Sequence, residues 1–110
     1  MSIIIGQVEF EGPFSQALDI EEQPGIFGIL CQTGEEFELI DLDESHNVRD
    51  CLISQEYSNN MLFYAETCRG TLLAIVHYTP QLTCAQRAEL KYDLLSEFDN
   101  AAQEQICATS

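Results

Sequence analysis

Positive charge is what this chain most lacks. Lysine and arginine together number 4, against 19 aspartates and glutamates, for a formal charge of -15. The cations are Arg49, Arg69, Arg87 and Lys91. Nucleic-acid binding draws its affinity from basic groups that displace counterions from phosphates, and four cations cannot supply that footprint. The same field repels anionic lipid, so neither a nucleic acid nor a membrane is an expected partner. Tryptophan is absent. No run approaches the roughly 20 apolar residues of a membrane span. The opening segment, Met1 to Phe10, has no basic stretch and too short an apolar run for a secretion signal. No CxxC occurs among the five cysteines, Cys31, Cys51, Cys68, Cys84 and Cys107. Scattered and odd in number, they read as reduced, mostly buried thiols of a cytoplasmic protein.

What is present suits one folded domain over residues 1–110. The length is that of a single domain, and 45% of residues are hydrophobic, enough for a core. Ile3 to Phe10 reads as a strand rich in β-branched residues, broken at Gly12-Pro13. Phe14 to Ile20 reads as a short helix or an irregular connection, and Gln23-Pro24-Gly25 as a turn. Ile26 to Gln32 suits a buried strand. Thr33-Gly34-Glu35 suits a hairpin turn into a strand over Glu36 to Asp43. That strand would place Phe37, Leu39 and Asp41 on one face, with Ile40 and Leu42 on the other.

Ser45 or Asn47 can cap a helix running to about Gln55. Met61 to Ala65 and Thr71 to Thr79 read as strands separated by Arg69-Gly70. Thr83 to Gln86 forms a capping box for a helix to about Phe98. Its buried stripe would be Ala88, Leu95 and Phe98, with Tyr92 and Leu94. The polar tail from Asp99 would extend the helix or fray. Hairpins joined by short turns imply an α+β domain, a small mostly antiparallel sheet flanked by helices.

Several short segments in this order resemble the GIY-YIG nuclease domain. They are Phe10-Glu11-Gly12-Pro13-Phe14, then Gly25-Ile26-Phe27, then Leu39 through Ser45, then Asn47 through Leu52, and finally Arg87 through Lys91. The resemblance covers most of the chain. It implies metal-assisted phosphodiester cleavage by two strand tyrosines, a helical arginine, often a histidine, and a metal-holding glutamate. Position by position, that chemistry is missing. The tyrosine positions hold Phe27 and Asp41, the arginine position holds Cys51, the histidine region holds Gln55, and the glutamate position holds Lys91. Arg49 and Glu89 each lie two residues from the required place. About 200° of helical rotation would turn each toward the opposite side.

Asp41, Asp43 and Glu44 form an acidic cluster at a strand end. Two of them could share a face and ligate Mg²⁺ or Ca²⁺, yet no calcium-loop pattern surrounds them. A solvated acidic patch is the commoner meaning of such a cluster. Cys51 reads as a core thiol on an apolar helix face. No cofactor-binding pattern occurs, and no cofactor is expected.

Three expectations follow. The leading one is a non-catalytic, strongly acidic protein-binding module on a degenerate GIY-YIG-like scaffold, engaging a basic protein. The second is a divergent metal-dependent nuclease using Arg49 and Glu89. The third is a self-associating structural protein, dimerising through a strand edge at Met61 to Tyr64 or through the C-terminal helix.

Overall fold

The computed structural model describes residues 2–109, with side chains described for residues 3–96. The chain forms β1 (Ser2–Ile5), β2 (Val8–Phe14), a 3-10 turn (Ala17–Asp19), β3 (Gly25–Thr33) and β4 (Glu36–Ser45). It continues with α1 (Val48–Ile53), α2 (Gln55–Thr67), β5 (Thr71–Tyr78) and α3 (Cys84–Thr109). The five strands make one sheet in the order β1-β2-β5-β3-β4, and every neighbouring pair is antiparallel. This is the α+β class read from the sequence.

Alternation along the strands divides the apolar residues between two faces. Phe10, Ile26, Leu30, Leu42 and Ile75 point to one face, which α3 covers through Leu94, with Leu90 and Leu95 beside it. Phe27, Ile29 and Val76 point to the other, which Ile20, Val48 and Tyr57 cover from the 3-10 turn, α1 and α2. β3 is buried from Gly25 to Cys31 because both its faces are covered.

The strand expected over Ile3 to Phe10 is two strands. Gly6, at φ 61, reverses the chain where a side chain would be strained. Nor does Gly12-Pro13 end β2. Glu11 pairs with Val76 and Phe14 with Ala74, so one extra residue is absorbed in a bulge. Proline, which has no amide to donate, is tolerated there. A second bulge falls at Ile40, since Ile29 faces Asp41 while Leu30 faces Leu39. It puts Leu39 and Leu42 in the same core cluster, contrary to strict alternation.

The helix expected to reach Gln55 stops at Ile53. Ser54, in an extended conformation, accepts a hydrogen bond from the Tyr57 amide and starts a second helix. That helix contains Met61 to Ala65, which is therefore not a strand. Tyr57, Met61 and Tyr64 all pack inward, and their spacing of four and three residues is helical. The expected dimer edge at Met61 to Tyr64 disappears with that strand. On α3 the capping box forms as read: Thr83 N–H donates to the Gln86 side chain, and Gln86 N–H to the Thr83 hydroxyl. Within the stripe, Leu94 is buried, but Tyr92 faces solvent and Arg87 is buried instead. Phe98 lies outside the described side chains.

The thiols are not all reduced. Cys31 on β3 and Cys68, the residue closing α2, form a disulfide. Next to it, Gly70 lies flat against the end of β3: a Cβ there would sit 1.8 Å from the Gln32 carbonyl oxygen. Glycine is the residue this approach allows. Among the described residues, no helix is long and apolar enough to cross a membrane.

Candidate functional site

The residues singled out by the sequence gather mainly where the C-terminal half of β4 meets α1 and α2. Asp41 and Asp43 face α1 and α2, because their cross-strand partners Ile29 and Phe27 belong to that core. The Asp41 carboxylate accepts from the Tyr57 hydroxyl at 3.0 Å and from the Tyr64 hydroxyl at 3.1 Å through one oxygen. Its other oxygen accepts from the Leu42 amide at 2.9 Å. The Tyr57 ring stands edge-on to Phe27 with centroids 5.4 Å apart. Burial, then the Asp41 charge, pushes the Tyr57 hydroxyl far above the usual phenol range. Tyr64 moves the same way for the same causes. Both phenols are therefore held as donors, and neither is poised to take a proton.

Asp43 makes the neighbouring arrangement. Its Oδ1 accepts from Lys91 Nζ and from the Glu44 amide, each at 2.8 Å. Lys91 reaches Asp43 from α3, around the edge of the sheet, and this hydrogen bond raises its ammonium above the ordinary value against the opposing effect of burial. Glu44 faces the α3 side and pairs with Arg87 at 2.5 Å. Arg87 is 5% exposed, so this is the most buried ion pair of the described residues. The acidic cluster thus divides into three carboxylates, each with a partner of its own. Among the described residues, no three His, Cys, Asp or Glu side chains are arranged to hold a metal ion.

β4 is an edge strand, and such edges invite pairing with other chains. Here the Leu42 and Glu44 amides are each answered by the aspartate that precedes them. Asp41 and Asp43 therefore blunt this part of the edge against a sixth strand.

Cys51 lies half-buried at the same end of the fold. Burial and then the charge of Asp43 raise its thiol, while a hydrogen bond with Ser45 lowers it. The net shift disfavours the thiolate that nucleophilic chemistry requires. Phe27, Asp41 and Cys51 are therefore brought near one another, and Lys91 joins them through Asp43. They are tied together by packing and hydrogen bonds, with no guanidinium among them.

Arg49 and Glu89 are not brought together. Arg49 points from α1 to the 3-10 turn, where Nε donates to the Ile20 carbonyl at 2.5 Å and Nη2 to the Leu18 carbonyl at 3.2 Å. It also approaches Glu22 at 3.9 Å. Glu89 is exposed on α3, the helix covering the opposite face of the sheet. The sheet separates the two.

One cavity in this half of the molecule lies elsewhere. It is a space of about 70 Å³ lined by Phe14, Ala17, Ile29, Leu52, Met61 and Leu72, with no acid, imidazole or thiol. Tyr57 and Tyr64 organise the acidic end; the sequence left Tyr57 unremarked and put Tyr64 on a strand. Their signal was available: Ser54 as a cap, followed by inward residues at 57, 61 and 64.

No protein-family model, curated protein or solved structure matches the chain.

Proposed function

We propose that this chain is a non-catalytic binding module whose acidic surface engages a basic protein. The observation that carries this reading is the fate of the cations. Of four, Arg49, Arg87 and Lys91 pair with carboxylates or carbonyls of the chain itself. Most carboxylates, among them Glu9, Glu11, Glu21, Glu36, Glu38, Glu56 and Glu66, face solvent. A partner therefore meets an almost unbalanced anionic field, which speeds encounter with basic proteins and turns phosphates away.

On this reading the GIY-YIG-like segments are scaffold. Phe27 supplies core volume, Asp41 organises two phenols, Cys51 packs, and Lys91 ties α3 to β4. Among the described residues, a water-activating base, a phosphate-facing arginine and a metal-holding carboxylate are not assembled in one place, as phosphodiester cleavage would require. The cytoplasmic home suggested by composition sits poorly with the Cys31–Cys68 disulfide, because cytosolic thiols are kept reduced. We read that bond as favouring an oxidising compartment.

Two assays test the proposal. An immobilised arginine-rich protein should retain the chain at low salt and release it at high salt. Incubation with single-stranded and duplex DNA in Mg²⁺ or Mn²⁺ should leave the DNA intact. Salt-indifferent retention would sink the electrostatic reading. Cleavage lost in both Arg49→Ala and Glu89→Ala would replace it with the nuclease.

A further inference from the structure

One face of α2 has no partner among the described residues. Asn59, Leu62, Phe63 and Glu66 fall at i, i+3, i+4 and i+7, so they share a stripe, and all are exposed. Leu62 and Phe63 are 68% and 64% exposed. The inward stripe of Tyr57, Met61 and Tyr64 is separate and already packed. α2 is therefore apolar on two sides, and water is left against one of them.

The surroundings of that stripe say what suits it. The second half of α2 runs beside β4: Tyr64 is bonded to Asp41, and Cys68 to Cys31, whose cross-strand partner is Glu38. Glu36 and Glu38 pair with Thr33 and Cys31, which puts them on the α2 side of the sheet, and both are exposed. The last turn of α2 carries no basic residue, so its carbonyl end adds partial negative charge. Glu66 adds more, and Arg69, one residue past the cap, is the single cation of this stretch.

A second copy would bring another strongly negative surface to this face. Nucleic acid or an anionic membrane would bring phosphates. A basic protein segment brings what is missing. Its aliphatic side chains can cover Leu62 and Phe63, and a guanidinium can stack on the Phe63 ring while pairing with Glu36 or Glu38. We infer that the outward face of α2, with the Glu36–Glu38 end of β4, docks an arginine-bearing, partly apolar protein segment. This inference rests on the basic-partner reading above and adds a place and a side-chain chemistry to it.

The test is a titration of the oxidised chain with a labelled twelve-residue peptide alternating arginine and leucine, followed by fluorescence anisotropy. The variants are Leu62→Ser with Phe63→Ser, Glu36→Gln with Glu38→Gln, and Glu9→Gln with Glu11→Gln as a charge-matched control on β2. All six positions are exposed, so folding should persist, and circular dichroism verifies it. The first two pairs should each weaken binding about tenfold, and the control less than twofold. Loss of binding in the control equal to that of Glu36→Gln with Glu38→Gln would overturn the placement and leave the basic-partner reading standing. So would unchanged binding by the Leu62 and Phe63 pair. Absence of binding by the unaltered chain at low salt would remove both.

Discussion

Against α3 the sheet presents Phe10, Ile26, Leu30, Leu42 and Ile75, closed by Leu94 and by the Glu44–Arg87 pair at the edge. Against α1 and α2 it presents Phe27, Ile29 and Val76, together with Asp41, two phenols that donate to it, and a disulfide at the end of α2. The first face is closed mainly by aliphatic packing on one long helix. The second is closed by short helices held through particular atoms. Short helices bury little area, so directional bonds and a covalent link supply what area does not. This difference explains why Phe27, Asp41 and Cys51 all have structural work: they fall on the face that depends on such links.

The largest effects should separate these two modes of closure. Phe27→Ala removes a fully buried ring and its contact with Tyr57, and should cost about 3–5 kcal/mol in denaturant unfolding. Leu94→Ala, on the α3 side, should cost about 2–5 kcal/mol by the same mechanism. If the Phe27 variant were the milder one, the α1–α2 face would be less tightly closed than described.

Reducing the Cys31–Cys68 bond, or making Cys68→Ser, opens a loop of 37 residues. Chain-entropy reasoning puts the loss at about 4 kcal/mol, which a reduced-versus-oxidised thermal scan would read as a lower Tm. An unchanged Tm would mean that the sheet alone holds α2.

Asp41→Ala should cost about 2–3 kcal/mol, because two phenols lose a charged acceptor. In a double-mutant cycle with Tyr57→Phe the two losses should be less than additive. The pH dependence has a definite sign. Tyr57 keeps its proton in the folded state above the ordinary phenol value of 10.0, so the unfolded chain releases it first. Its contribution is complete below about pH 10 and is lost as pH rises past that point. Tyr64 and Lys91 are shifted upward too and act in the same direction. Alkaline unfolding should therefore be shallower in Tyr57→Phe.

The smallest effect belongs to Lys91→Met. Its ion pair with Asp43 is partly exposed, and the loss should stay within about 1 kcal/mol.

Much of the sheet could be read from the residues. β3 and β5 are continuous apolar runs, Gly34 takes the positive φ of a hairpin turn, and Thr83 with Gln86 caps α3. Of the features that escaped, three show why. Met61-Leu62-Phe63-Tyr64-Ala65 is apolar on consecutive positions, which imitates a buried strand, because α2 carries apolar residues on its outward face as well. The bulge at Ile40 turns Leu39 and Leu42 to one side, and alternation alone cannot show that. The Cys31–Cys68 pairing joins residues distant in sequence, and spacing does not determine connectivity. At the acidic end, the residues were visible but their partners were not. Asp41, Asp43 and Glu44 read in sequence as a solvated acidic patch or, less often, a cation site, and only the approach of Tyr57, Tyr64, Lys91 and Arg87 shows which partner each carboxylate takes.

The most direct measurement is an amide chemical-shift map of the oxidised chain titrated with the arginine–leucine peptide at low and at high salt. The account predicts the largest shifts at residues 36–38 and 59–66, erased by salt. Shifts centred on α3, or a map that salt leaves unchanged, would contradict it.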